Sequence, residues 1–112
     1  MSIDPVCSLI GLAAKGRNVV SGEYSTENAI KSGKAFVVIV AKDASDNTKK
    51  SFSDKCAYRN VPIYFYGDKD MLGHAIGCEM RASLAIIDEG LSKAIIKKIE
   101  GMHLMEDMNE GK

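Results

Sequence analysis

The feature that most constrains the fold is an unbroken run of five apolar residues at positions 36–40, Phe-Val-Val-Ile-Val. A strand with one face in water alternates apolar and polar residues, so a continuous run predicts a strand that is covered on both faces. Gly33 lies three residues before the run and can adopt the left-handed conformation that ends a helix. The sequence therefore predicts a helix that ends near Gly33, followed by a buried central strand.

The helix before this strand is predicted to begin at Ser21, whose hydroxyl can accept a hydrogen bond from an amide of the first turn. Thr26, Ala29 and Ile30 recur at i, i+3 and i+4 and form one apolar stripe. The start of this helix at Gly22 would present several unpaired backbone amides. Such a helix start favours an anionic or hydrogen-bond-accepting ligand.

Helices and strands are predicted to alternate along the rest of the chain. The other predicted helices begin at Asp4-Pro5, Ser45, Asp68 and Asp88 and end at Gly16, Asn60, Gly77 and Gly101. The other predicted strands are residues 63–66 and 83–88, with a short strand just before Ser21. About four strands and five helices predict a single α/β domain, with one sheet between two helical layers. The domain is predicted to span residues 1–101, and residues 102–112 lack periodicity and are predicted to form a flexible tail.

Length and cysteine content narrow the class of protein. A chain of 112 residues is long enough for one domain with a real core. No apolar run approaches the roughly 20 residues of a membrane span, and the first residues lack the pattern of a secretory signal. The three cysteines, Cys7, Cys56 and Cys78, have no CxxC spacing, so we expect reduced thiols, no zinc site and a cytoplasmic location.

The formal net charge is zero, which argues against a protein that binds polyanions through bulk charge. The charge is unevenly distributed, however. Residues 1–60 hold nine Lys and Arg against six Asp and Glu, a net charge of +3, whereas residues 61–112 hold six against nine, a net charge of −3. The first half is therefore the better candidate for contact with a phosphate backbone.

The sequence contains no recognised catalytic motif. There is neither a Walker loop nor a G-x-S-x-G elbow, and we expect no cysteine to have a histidine that lowers its pKa. The aspartates mostly stand where helices begin, and N-capping explains them without catalysis or metal binding. We therefore expect a protein that is not an enzyme and that needs no cofactor or metal.

Several loops are instead predicted to meet at one end of the sheet. They are the helix start at Gly22, the turn at Lys42, the turn at residues 68–71 and the loop at residues 78–81. This end is predicted to carry backbone amides, the apolar side chain of Met80, and five cations: Lys31, Lys34, Lys42, Lys69 and Arg81. A folded RNA would use all of these groups, with phosphates on the cations, base edges on Glu23 and Asn28, and an unstacked base on Met80.

Five segments in this order resemble the kink-turn RNA-binding ribosomal proteins, the large-subunit proteins "seven Ae" and "thirty e" and their small bacterial relatives. The segments are residues 22–35 (GEYSTENAIKSGKA), 37–41 (VVIVA), 60–62 (NVP), 72–77 (LGHAIG) and 85–87 (AII). The bacterial branch is the most similar, notably in residues 11–14 (GLAA), 20–22 (VSG) and 43–50 (DASDNTKK). The resemblance covers about residues 5 to 100, and its specificity comes from the combination of segments.

The resemblance implies a three-layer α/β/α sandwich around a mixed, four-stranded sheet. It also implies binding of a kink-turn, an RNA helix bent sharply at a bulge beside sheared G·A pairs, and ribosomal RNA is one candidate. It implies no DNA or membrane partner, and we expect a monomer. By position, the G·A pairs would meet Gly22, Glu23, Tyr24, Ser25 and Asn28; Lys69 would meet phosphate; and the flipped-out nucleotide would lie under Cys78, Glu79, Met80 and Arg81.

The chain departs from the family pattern at three positions. Many relatives carry Asn-Glu in place of Tyr24-Ser25, usually a lysine in place of Asn28, and often an acidic residue in place of Lys42. The loss of a lysine at position 28 would weaken or redirect RNA binding, whereas Lys42 in place of an acidic residue would strengthen it. The alternative prediction is a small protein-interaction domain that keeps the fold and has lost RNA binding.

Overall fold

A computed structural model describes residues 4–110, with the side chains of residues 4–102. Helices and strands alternate along this range, as predicted. The elements are α1 (Pro5–Lys15), β1 (Val19–Ser21), α2 (Glu23–Lys31), β2 (Val37–Val40), α3 (Asp46–Arg59), β3 (Ile63–Phe65), α4 (Lys69–Ala75), β4 (Ser83–Ile86) and α5 (Glu89–Glu110).

The four strands form one mixed sheet in the order β1-β4-β2-β3. β2 and β3 are parallel, with Val38 opposite Ile63, while β4 runs antiparallel to both β1 and β2. These directions bring the last residues of β1, β2 and β3 and the first residue of β4, Ser83, to one end of the sheet. We call this end the Gly22 end, since Gly22 follows β1 there.

The sheet is covered on both faces, which confirms the three-layer architecture. Side chains of α1, α4 and α5 pack with Val37 and Ile39 on one face. Side chains of α2 and α3 pack with Val38 and Val40 on the other face. All four residues of β2 are buried, because successive side chains of a strand point to opposite faces and here each face has a helical layer.

The prediction for Phe36 was wrong, although the rest of the apolar run is the central strand. Phe36 precedes β2 and its side chain is 40% exposed. Its amide donates to the Ile86 carbonyl, so the backbone is already paired at this position. The helical layers therefore leave part of its ring uncovered. The predicted strands at residues 63–66 and 83–88 are likewise shorter, ending at Phe65 and Ile86.

The predicted helix starts were correct where an acidic or hydroxyl residue caps the helix. Asp4 accepts from the Cys7 amide at 2.9 Å, and Asp68 accepts from the Met71 amide at 2.8 Å. Ser45 caps α3 in the same way. Asn60, in the left-handed conformation, ends α3 as predicted.

Two predicted helix boundaries were wrong. Ser21 is the last residue of β1 and caps no helix, and Gly22 is the N-cap of α2. Gly101 does not end α5, which continues to Glu110, because glycine permits the left-handed conformation without requiring it. The side chains of residues 103–110, and residues 1–3 and 111–112, lie outside the described part, so the flexibility of the predicted tail stays a prediction.

The three cysteines are free, as predicted. Burial raises the pKa of the Cys7 thiol to about 11, with a further contribution from Asp4, and burial alone does the same for Cys56. Both thiols therefore stay protonated near neutral pH and are poor nucleophiles. Within the described residues no helix has the length and apolar character needed to cross a bilayer.

Candidate nucleic-acid interface

The N-terminus of α2 is open at the Gly22 end. Gly22 has φ 90° and ψ 164°, and no side chain caps this helix. The Gly22 amide is used by β4, since it donates to the Ser83 carbonyl at 3.0 Å. The amides of the first turn, at Glu23, Tyr24 and Ser25, have no partner inside the helix, because helix geometry supplies none there. Apart from its chain neighbours, a Cβ placed on Gly22 would meet no atom within 4 Å, so the space beside this residue is open.

Two side chains extend this surface along α2. Tyr24 is 78% exposed, and Asn28 is also exposed. They lie four residues apart, so both leave the helix on the same side. An exposed phenol and an exposed amide can both donate and accept hydrogen bonds, as readout of base edges requires.

The loop of residues 78–81 is held against α4 by close backbone packing. A Cβ on Gly73 would lie 1.7 Å from the Glu79 carbonyl oxygen, so only glycine allows this approach. The Cys78 amide donates to the Gly73 carbonyl at 2.9 Å. The Arg81 amide donates to the Lys69 carbonyl at 3.0 Å. The loop therefore has a defined position relative to the start of α4.

Arg81 connects this loop to the start of α2. Its Nε donates to the Ser21 hydroxyl at 3.1 Å, and one terminal nitrogen donates to the Met80 carbonyl at 2.9 Å. On the other side, the Lys69 amide donates to the Asp43 carboxylate at 3.0 Å. A hydrogen-bonded path thus runs from Ser21 through Arg81 and Lys69 to Asp43. The four predicted loops do meet at the Gly22 end.

An open cleft of about 930 Å³ lies between α4 and the 78–81 loop. Met80 on its rim is 56% exposed. The lining residues are Asp70, Met71, His74, Cys78, Glu79, Met80 and Arg81. Two thioethers beside polar groups can cover one face of an unstacked base, which is flat and apolar on its faces and polar at its edges.

The charge of the Gly22 end is mixed rather than strongly basic. Its cations are Lys42, Lys69 and Arg81, and its acids are Glu23, Asp43, Asp68, Asp70 and Glu79. Arg81 is moreover engaged with Ser21 and Met80. Such a surface offers only a few phosphate contacts, and its other groups suited to binding are backbone amides, polar side chains and apolar surface.

The structure does not bring Lys31 and Lys34 to the Gly22 end. Lys31 is the last residue of α2, and Lys34 follows in the turn before β2. A helix of nine residues places its ends about 12 Å apart. Lys31 is also paired with Glu27 at 2.9 Å. The other predicted site residues lie on α2 near its start or in the four loops.

Sequence reasoning missed three contacts that shape this end. They are the Arg81–Ser21 hydrogen bond, the Lys69–Asp43 hydrogen bond and the packing of the loop on Gly73. The first two join residues far apart in the chain and leave no local signal. Gly73 did give a signal, since a glycine inside a helix costs stability and often marks a close approach of backbone. Among the described residues no group of His, Cys, Asp and Glu could hold a metal ion.

Comparison with known sequences identifies relatives along most of the chain. Residues 5–96 match the family described as ribosomal protein L7Ae/L30e/S12e/Gadd45. The chain is 38% identical over 92 residues to the RNA-binding protein YlxQ of Bacillus subtilis (strain 168), covering 82% of this chain and 92% of the relative. It is 34% identical over 88 residues to the large ribosomal subunit protein eL30 of Methanoregula boonei, covering 77% and 88% of the two chains.

Solved structures agree with the fold. A protein of unknown function from Bacillus halodurans C superposes with a TM-score of 0.83 at 35% identity, covering 86% of this chain and 97% of that one. The 15.5kD RNA binding protein of Giardia lamblia superposes with a TM-score of 0.74 at 23% identity, covering 90% and 92%. The second similarity concerns the fold alone.

These matches confirm the resemblance found in the five sequence segments. The relatives carry the names of ribosomal and RNA-binding proteins, which are not enzymes, and this confirms the prediction that the chain is not an enzyme. The match extends from α1 into the first part of α5, and it includes every element of the Gly22 end. The chain belongs to the ribosomal protein L7Ae/L30e/S12e/Gadd45 family.

Proposed function

We propose that this chain binds structured RNA without catalysis and recognises a kink-turn or a similarly bent RNA at its Gly22 end. We further propose that it acts as a cytoplasmic monomer associated with the ribosome. The observation that carries the proposal is the uncapped start of α2 beside the 78–81 loop, joined by the Arg81–Ser21 hydrogen bond. Family membership supports it, since one relative is named an RNA-binding protein and another a large ribosomal subunit protein.

The residues divide the recognition between them. The backbone amides after Gly22 meet the G·A pairs in the widened groove, because readout of base edges requires hydrogen-bonding groups that come close to them. Tyr24 and Asn28 make further hydrogen bonds to the same pairs. Met80 covers the unstacked nucleotide. Lys42 and Lys69 contact phosphates and set the orientation of the RNA.

The first prediction concerns the choice of RNA. The protein should bind a kink-turn helix at least about tenfold more tightly than a straight duplex of equal length, a gap of about 1.4 kcal/mol. Phosphate contacts alone do not discriminate between these RNAs, so the preference must come from shape and base edges. With two or three phosphates contacted, the logarithm of the affinity should fall with the logarithm of salt concentration with a slope of only about −2 to −3.

Titration of both RNAs by fluorescence anisotropy across a salt series measures the preference and the slope. A kink-turn whose G·A pairs are replaced by Watson–Crick pairs is the matched control. Equal affinity for all three RNAs at moderate salt would contradict kink-turn recognition. The mixed charge of the Gly22 end and its exposed Tyr24 and Met80 would then favour the alternative, a protein-interaction domain of the same fold.

The second prediction uses Asn28, where many relatives carry a lysine. Asn28→Lys should tighten kink-turn binding and steepen the salt slope by at most about one, because it adds one cation facing the RNA. Helix stability should change by only a few tenths of a kcal/mol. If Asn28 reads a base in a dedicated target, the same change should weaken that target while it strengthens a generic kink-turn.

The matched control is Ala94→Lys, which adds the same charge at an exposed position of α5. α5 packs on the face of the sheet opposite α2, so this lysine lies away from the Gly22 end. It should leave both the affinity and the slope nearly unchanged. An Asn28→Lys protein that behaves like the Ala94→Lys protein with every RNA would place Asn28 outside the interface.

A further inference from the structure

A second surface with RNA-binding chemistry lies between the C-terminal parts of α2 and α3. Tyr58 on α3 is 82% exposed. The Arg59 guanidinium carbon lies 5.7 Å from the centre of the Tyr58 ring. Beside them is a groove of about 130 Å³ lined by Ile30, Lys31, Lys55, Tyr58 and Arg59, which we call the α2–α3 groove.

The α2–α3 groove is more uniformly basic than the Gly22 end. Three of its five lining residues are cations. Glu27 is shared between two of them, at 2.9 Å from Lys31 and 3.5 Å from Lys55. One carboxylate therefore offsets three cations, and Lys34 adds a fourth positive charge three residues after Lys31. A polyanion is the complementary partner.

The position of the groove relates it to the Gly22 end through one rigid element. α2 carries the proposed kink-turn surface at its start and the groove at its last turn, about 12 Å away along the helix axis. Buried contacts among Ile30, Phe52 and Cys56 fix α2 against α3. A few unpaired nucleotides that leave a bent RNA can span this distance.

We propose that the α2–α3 groove binds a short single-stranded segment that flanks the bent RNA. Tyr58 stacks on one unpaired base, and Lys31, Lys55 and Arg59 lie on the neighbouring phosphates. An exposed aromatic ring backed by a guanidinium and flanked by cations is the combination that single-stranded RNA uses, and stacking tolerates any base. The proposal rests on the proposed function insofar as both surfaces take the same RNA.

The experiment compares three RNAs against variants of the two surfaces. The RNAs are a kink-turn helix, the same helix with a single-stranded extension of about ten nucleotides, and a free oligouridylate of about ten nucleotides. The extension should tighten binding of the unchanged protein about tenfold, because it lets both surfaces bind at once. Tyr58→Ala should remove this gain and weaken oligouridylate binding about tenfold. Arg59→Gln should lower the salt slope for the oligouridylate by about 0.7.

Tyr24→Ala is the matched control, since it removes an exposed tyrosine at the other end of α2. This substitution should weaken binding of the kink-turn helix and leave oligouridylate binding unchanged. Thermal unfolding of each variant checks the fold. Both tyrosines are largely exposed, so their replacement should change the melting temperature little. Ultraviolet crosslinking followed by mass spectrometry should place nucleotide adducts on the peptide that contains Tyr58.

The outcomes separate this inference from the proposed function. Oligouridylate binding that depends on Tyr58, with no preference for the kink-turn, would support the groove and contradict kink-turn recognition. A kink-turn preference with no gain from the extension in the unchanged protein would overturn the groove alone. Nucleotide adducts confined to the Gly22 end would also overturn the proposal for the groove. So would an equal loss of oligouridylate affinity in the Tyr58→Ala and Tyr24→Ala proteins.

Discussion

Replacement of Gly22 by valine is expected to weaken binding of a kink-turn RNA at least about a hundredfold, or roughly 2.7 kcal/mol. The backbone of Gly22, at φ 90° and ψ 164°, lies in a region that is essentially restricted to glycine. Valine should therefore cost about 1–3 kcal/mol of stability. Apart from its chain neighbours, the Cβ of this valine would meet no protein atom within 4 Å, so the folded form should persist. The added bulk would block approach of the RNA to the α2 amides.

Gly33→Val is the matched control, because Gly33 has φ +76° and is equally open, and it lies beyond the other end of α2. Chemical denaturation should show a similar loss of stability for both variants. Anisotropy titration with a kink-turn that lacks single-stranded extensions should show a loss for Gly22→Val alone. Full RNA binding by a folded Gly22→Val protein would place the docking surface elsewhere. Equal losses of binding in both variants would assign the effect to stability.

The fold was predictable where local chemistry determines it. The apolar run identified the central strand, and aspartates and serines placed most helix starts, because a cap satisfies amides within three residues of itself. The failures are at residues whose fate depends on distant packing. The helical layers leave Phe36 partly exposed, and α5 continues past Gly101. The strand order leaves no trace in hydrophobic periodicity, and the family resemblance implied only that the sheet is mixed.

The candidate site was predictable as a set of loops and less so as a set of side chains. Alternation of strands and helices brings loop ends together, which is why the four predicted loops do meet. Lys31 and Lys34 were predicted to lie at this end as well, but the length of α2 places them at its other end. The Arg81–Ser21 hydrogen bond joins residues 60 positions apart, so only the folded chain reveals it.

The largest effect on stability is expected from Gly73→Ala. A Cβ at this position would lie 1.7 Å from the Glu79 carbonyl oxygen and 2.5 Å from its carbon, and both atoms belong to backbone. Either the helix or the 78–81 loop must move, which should cost about 3 kcal/mol or more. For a domain of this size the melting temperature should fall by roughly 12 °C or more. Kink-turn binding should weaken as well, since displacement of the loop moves Met80 and Arg81.

Gly101→Ala is the matched control, as it is the same substitution inside a helix with no atom within 4 Å of the added carbon. It should raise the free energy of unfolding by about 0.5–1 kcal/mol, because alanine is the better helix former. The two substitutions should thus change the free energy of unfolding in opposite directions. The difference between these changes measures the packing of the loop on α4 rather than helix propensity. A Gly73→Ala protein with unchanged melting temperature and RNA affinity would show that the loop does not pack against α4 in solution. The close approach at Gly73 would then no longer explain how Met80 and Arg81 are positioned.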